Sequence, residues 1–208
     1  MIYSTPDAST PYVHLKFREP VYRVGESAGW LEVQTEDGAR GFVRRSAVSN
    51  IWIRVSKANK TLYVYRGTDL IKKIPADFGL NAFADKERRG STIEPDHWRT
   101  PDGTFYVVNR NPKSQFYKAL VLNYPTSEDA ERGRNEKLIT EAQYRAIVEA
   151  ERNQRTPPMN TPLGGWIEIH GRGTGVGENW TQGCVAVRDA HIDEIWHLAQ
   201  VGTPVVIE

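Results

Sequence analysis

The chain has a single cysteine in 208 residues, Cys184, so it can form no internal disulfide and cannot supply a thiolate-rich zinc site. Net charge is nearly absent, with 27 Lys and Arg against 26 Asp and Glu. That balance gives no electrostatic case for nucleic acid or for an anionic membrane surface as a partner. No apolar run approaches the ~20 residues of a membrane-spanning helix. Nor does the start resemble a secretory leader, because "MIYSTPDAS" reads as a first strand entering a turn. Two readings follow, a cytosolic protein or one whose leader has been removed, and the abrupt start favours the second. There is no internal repeat and no low-complexity tract. His14, His191 and His197 make no metal set, since the last two lie six apart on a predicted helix and face different sides. No carboxylate pair suggests acid–base hydrolysis of sugars, and no cofactor is expected.

What the chain does have is short extended segments. "GWLEVQT", "RGFVRR", "IWIRV", "TLYVY", "GTFYVV", "ALVLNY", "GWIEIHG" and "TPVVIE" are rich in β-branched and aromatic residues. Turn formers such as Glu36-Asp37-Gly38, Arg66-Gly67 and Asp102-Gly103 separate them, which predicts a mainly β fold, a sandwich or barrel. Two helices interrupt the pattern. Thr140 and Gln143 have capping-box spacing at the head of "TEAQYRAIVEAERNQ", and Pro157-Pro158 follows its end. Asp189 is placed to cap "AHIDEIWHLAQ", whose Ile192, Ile195, Trp196 and Ala199 form one apolar stripe suited to core packing. A boundary falls near residue 50, giving domains 1–50 and 51–208. The first, built around "GWLEVQTEDGARGFVRRSAV", resembles a bacterial SH3-like module, a small β-barrel.

The chemistry centres on "NWTQGC". In "GWIEIHG", period-two alternation puts Ile167 and Ile169 on one face and Glu168 and His170 on the other. Cys184 follows His170 by 14 residues, across a glycine-rich loop whose spacing is not that of a dinucleotide-binding turn. Thiol acyl chemistry needs a sulfur, an imidazole to deprotonate it, and paired N–H donors where the oxyanion forms. Gly183 would free the amides of residues 183 and 184 to point at one oxygen. An adjacent imidazolium would also lower the thiol's pKa. Against this stands the ordinary reading, because a lone Cys is usually a buried structural atom and a lone His usually structural too. Spacing alone does not decide between them.

"IHG", the loop, and then "TQGCVAV" resemble the catalytic signature of YkuD-type L,D-transpeptidases, His-Gly followed by Ser/Thr-x-Gly-Cys. Upstream, "RTPDGTFYV" is similar to that family's Thr-Pro-x-Gly-x-Phe/Tyr segment. "NPKSQFYKALVLNYP" and "GCVAVRDAHIDEIWHLAQVGTPVVI" resemble the branch containing the amidase that releases murein lipoprotein from peptidoglycan. The resemblance spans about residues 51–208 and implies a β-sandwich with a few helices and a cysteine at a cleft. It implies Cys184 as nucleophile, His170 as base, the Gly171 carbonyl as orienter of the imidazole, and the Gly183 and Cys184 amides as oxyanion hole. Thr181 would shape the loop beside the thiol, with Gln182 and Arg188 on the substrate side.

Two departures stand out. Many members carry Arg or Asn two residues after the Cys, where this chain has Ala186. Arg188 lies on the same strand parity, about 13 Å beyond the thiol if the strand continues, and reads either as a replacement anchor for substrate or as a solvated or helix-flanking residue. "STIEPDHW", with His97 and Trp98, is inserted before "RTPDG" and reads as a surface loop, with a lid as the alternative. The implied partners are peptidoglycan stem peptides and a wall-linked lipoprotein, in the periplasm or cell envelope, with the protein a monomer. The competing readings are a sortase-like transpeptidase, for which 14 residues from His to Cys is short, and a non-catalytic wall-binding adaptor.

Overall fold

The computed structural model describes residues 1–16 and 18–208. It divides into two compact units, Met1–Asn50 and Ile51–Glu208. The first unit is an antiparallel sheet of β1 (Ile2–Tyr3), β2 (Pro11–Val13), β3 (Val21–Ser27), β4 (Trp30–Thr35) and β5 (Arg40–Arg44), in the order β2-β1-β5-β4-β3. Alternation along β4 turns Leu31, Val33 and Thr35 inward, and Ile2 and Val43 close a small core with them. On the other face the Arg44 guanidinium lies 5.4 Å from the centroid of the Trp30 ring.

The second unit contains β6 (Ile51–Ser56), β7 (Thr61–Arg66), β8 (Asp69–Pro75), β9 (Phe78–Gly79), β10 (Gly103–Ser114) and β11 (Tyr117–Leu122). After them come α1 (Ser127–Asn135), α2 (Glu141–Arg152), β12 (Glu168–His170), β13 (Asn179–Thr181), β14 (Val185–Ala186), α3 (Asp189–Leu198) and β15 (Pro204–Ile207). Eight strands form one sheet in the order β14-β12-β11-β10-β15-β6-β7-β8, while β13 pairs with β9. Ile53, Val55, Leu62, Val64, Phe105, Leu120, Leu122, Ile169, Val185, Val205 and Ile207 all face one core. At about 1.5–3 kcal/mol per large apolar side chain, their burial dominates the stability of this unit. The mainly β class with a few helices agrees with the sequence reading.

Two local features differ from expectation. Helix α1 was not anticipated; Thr126 and Asp129 cap it reciprocally, a box built with Asp where the usual signature has Glu or Gln. Thr140 and Gln143 do cap α2 as their spacing predicts. Asp189, by contrast, is the first residue inside α3 rather than its cap, and its Oδ1 accepts the Arg172 N–H at 2.8 Å.

The register places the chemistry. In β12, Glu168 pairs with Val121 and His170 with Ala119 of β11. On the other side β14 runs parallel, with Ile169 opposite Val185 and His170 opposite Ala186. Ile169 and Val185 thus enter the core, while Glu168 and His170 share the opposite parity with Cys184 and Ala186.

Candidate active site

Cys184 stands immediately before β14, two positions ahead of Ala186 and therefore diagonal to His170 on the neighbouring strand. Diagonal positions on adjacent strands are roughly 7–8 Å apart at Cα, within reach of a thiol and an imidazole. Cys184 is half-buried and free. Its thiol donates to the Trp166 carbonyl at 3.3 Å, and no hydrogen bond joins it to His170 among the described residues. Trp166 has φ +55°, a left-handed conformation that costs a non-glycine residue roughly 1–2 kcal/mol. Its carbonyl is thereby turned to the thiol while its indole stays exposed.

His170 is 1% exposed. Its Nδ1 lies 2.6 Å from the Gly171 carbonyl oxygen. A carbonyl can only accept, so Nδ1 carries the proton and Nε2 is the basic atom of the neutral ring. The ring stacks on Phe116 at 4.4 Å, and Trp180 stands edge-on at 6.4 Å. Burial lowers the imidazole's pKa, opposed in part by the Gly171 carbonyl and the Asp77 charge. The base form therefore prevails at neutral pH.

The thiol does not follow the expectation of an imidazolium partner that makes it acidic. Burial first, and the Glu168 charge second, push it up to about 12, against the pull of the Glu168 backbone N–H and the Lys86 charge. Partial surface exposure of Cys184 does not offset this, since close neighbours desolvate the sulfur. The resting pair is a neutral thiol beside a neutral imidazole, suited to losing the proton as the sulfur attacks.

The turn before the thiol is tightly tied. Thr181 Oγ1 donates to the Cys184 carbonyl at 2.7 Å and accepts the Gly183 N–H at 3.2 Å. Gly183 has φ +131°, and a Cβ there would stand 2.6 Å from the Arg99 carbonyl oxygen, so only glycine fits. The expectation of two free oxyanion donors needs correction: the Gly183 amide is turned to Thr181, and only the Cys184 amide is unengaged among the described residues. Gly171 is also crowded, since a Cβ would stand 2.9 Å from the Phe116 carbonyl oxygen. Gln182 is exposed beside the thiol.

Arg188 is not placed as the parity argument required. Strand β14 ends at Ala186 because α3 begins at Asp189. Arg188 Nε donates to the Thr174 carbonyl at 3.2 Å, and its guanidinium lies against Gly175, so it braces the loop after His170. Ala186 is fully buried and offers no polar contact to substrate.

Three residues carry more than the sequence suggested. Asp77, just before β9, is fully buried and accepts four hydrogen bonds. They come from Thr174 N–H at 2.6 Å, Thr174 Oγ1 at 2.8 Å, Glu178 N–H at 2.9 Å and Trp180 Nε1 at 2.9 Å. Burial pushes its carboxyl up, but these bonds outweigh it and hold the pKa below the ordinary value. A lone Asp in "PADFG" has no spacing partner that would have revealed this. Lys86 is buried and within electrostatic reach of the thiol. The inserted segment holding His97 and Trp98 packs inward: the His97 carbonyl accepts Lys86 Nζ at 3.2 Å, and the Trp98 carbonyl accepts the Asn81 N–H.

Glu168 is the third, nearly buried, with desolvation raising its pKa to about 7. The folded state thus binds a proton between its ordinary pKa and about 7 that the unfolded chain has released, so stability falls as pH rises across that window. Glu168→Gln is expected to stabilise the protein at pH 8 by about 2–3 kcal/mol and to have little effect near pH 4. Denaturant unfolding at the two pH values checks this. Equal effects at both would contradict it. Among the described residues, no cluster of three or more His, Cys, Asp or Glu side chains is arranged to hold a metal ion.

Residues 50–207 match a family model described as the L,D-transpeptidase catalytic domain, YkuD. No curated protein sequence matches significantly. Among solved structures, the chain is similar to Bd1075 of Bdellovibrio bacteriovorus, at 22% identity and TM-score 0.46, over 78% of this chain and 49% of that one. It is similar to an L,D-transpeptidase from Xylanimonas cellulosilytica at 15% identity and TM-score 0.45, over 77% and 61% of the two chains. A third is an L,D-transpeptidase from Mycobacterium smegmatis, at 14% identity and TM-score 0.43, over 86% and 66%. The chain thus spans about half to two-thirds of the length of these structures.

Proposed function

The chain belongs to the L,D-transpeptidase catalytic-domain family, and from that premise we propose that it modifies peptidoglycan stem peptides through a thioester on Cys184. The observation that carries this reading is the placement of Cys184 diagonal in register to His170, a residue of the adjacent strand whose Nδ1–H is already fixed by Gly171. As the sulfur attacks the carbonyl of the third stem residue, a diamino acid, the thiol proton passes to His170 Nε2. The carbonyl oxygen becomes an oxyanion that the Cys184 amide stabilises. Collapse breaks the C–N bond, His170 returns the proton to the leaving amine, and the acyl group stays on sulfur.

An amine acceptor then gives a transpeptidation product, and water gives carboxypeptidase or amidase action. Ala186 favours water, because the position that anchors substrate in many relatives is here a buried methyl group. The same reading extends to release of a wall-linked lipoprotein, to a periplasmic or envelope location, and to an SH3-like first unit. Digestion of purified muropeptides, with and without attached lipoprotein, followed by mass analysis, tests it. Shortened stems or freed lipoprotein are expected. New cross-linked dimers would assign transpeptidation instead, and no product of any kind would favour a non-catalytic wall-binding adaptor.

A further inference from the structure

Lys86 is 3% exposed, and its ammonium has no carboxylate within ion-pair distance among the described residues. Its one hydrogen bond goes to the His97 carbonyl at 3.2 Å. An ammonium so buried is costly unless something nearby rewards the charge. Its Cε lies 3.0 Å from where a Cβ on Gly164 would stand, in the turn that leads to Trp166, whose carbonyl holds the Cys184 thiol. The amine and the sulfur also interact electrostatically. We infer that Lys86 is a positioning residue acting through Cys184, its ammonium offsetting the negative charge that the sulfur acquires on losing its proton.

The surrounding charges are consistent with this role. Burial is the largest influence on Lys86 and lowers it to about 8; Cys184 and Asp85 favour its charge, while Arg89 and Arg99 oppose it. Glu168 faces the sulfur with the opposite sign, so Lys86 is the cation that counters it. His170, neutral at rest, adds no charge at neutral pH. The inference rests on Cys184 being the nucleophile of the proposed reaction.

Iodoacetamide labelling tests it without any substrate, and Cys184 is the only cysteine, so the label reports one site. Rates are compared from pH 6.5 to 10 for wild type, Lys86→Gln, Lys86→Met and Lys86→Arg. At pH 7 the Gln and Met variants are expected to label about tenfold more slowly, equivalent to about one pKa unit at the sulfur. The gap should close above about pH 9, where wild-type Lys86 is itself mostly neutral. Lys86→Arg keeps its charge and should label faster than wild type at that pH. This variant decides the matter if the uncharged ones unfold. Wild-type rates in Lys86→Gln would overturn the inference, as would Lys86→Arg tracking wild type at every pH. Turnover of stem peptides without any Lys86 dependence of labelling would sink this inference alone. Lys86-dependent labelling without turnover would sink the proposed function alone.

Discussion

Replacing Cys184 with alanine is expected to lower turnover of stem peptides by about a thousandfold or more while leaving the fold intact. The size of the loss follows from covalent catalysis: without sulfur there is no acyl-enzyme, and the remaining oxyanion donor and base support only slow direct attack by water. The fold should survive because Val185 and Val187 are fully buried, whereas Cys184 is half-buried and makes only weak hydrogen bonds through sulfur. A change within about 0.5 kcal/mol is the expectation for such a site. Rates of product formation and thermal unfolding of both proteins check the two halves. Retention of a tenth of the activity would remove the sulfur from the chemistry.

The neutral resting state sharpens that expectation. A thiol pushed up to about 12 beside an imidazole lowered by burial cannot rest as a thiolate–imidazolium pair. Under the proposed function, the electrophilic carbonyl of the substrate makes proton transfer to His170 favourable. Trp166, whose carbonyl holds the thiol, and Trp180, edge-on to the imidazole, both expose their indoles.

Asp77→Ala is expected to have the second-largest effect, on stability and activity together. Its carboxylate collects four donors from the segment between His170 and Cys184 and fastens that segment to β9. Its backbone pairs with Ala186 in both directions, at 2.8 and 3.0 Å. Removal leaves Thr174, Glu178 and Trp180 donors without their acceptor, at a cost of about 3 kcal/mol after partial rehydration. For a unit of this size that lowers the unfolding midpoint by roughly 6–12 °C. Because the folded-state pKa of Asp77 is depressed, its stabilisation is full above the ordinary carboxylate range and is lost as pH falls through the folded value. The wild-type advantage over Asp77→Ala should therefore be full at pH 7 and shrink below about pH 4. Activity should fall more than tenfold, since Trp180 no longer steadies the edge of His170. A variant with wild-type unfolding and wild-type rate would show the four bonds to be incidental.

The strands were legible because β-branched and aromatic runs alternate, and the register that follows puts Glu168, His170 and Cys184 on one parity. Cys184, His170 and Gly183 were legible because close motifs record local geometry. Asp77 and Lys86 were not, since each reaches the site from nearly a hundred residues away and only the folded chain brings them together. For Arg188 the helix-flanking reading holds rather than the anchor reading, since it stands at the N-cap of α3. Parity holds only while a strand lasts, and β14 gives way to α3 almost at once. Helix α1 escaped because its sequence, "SEDAERGRN", is polar apart from its alanine and lacks an apolar stripe. The Gly183 amide shows the limit of motif reasoning, because its direction depends on a hydroxyl two residues away.

The central claim is that a carbonyl carbon becomes bonded to the sulfur at position 184. Intact-mass spectrometry of the protein, mixed with a stem tetrapeptide whose third residue is a diamino acid and quenched in acid, reads that bond directly. The account predicts a gain equal to the acyl tripeptide, mapped to the peptide containing Cys184 and absent from Cys184→Ala. Turnover with no such adduct at any quench time, or an adduct that persists in Cys184→Ala, would contradict it.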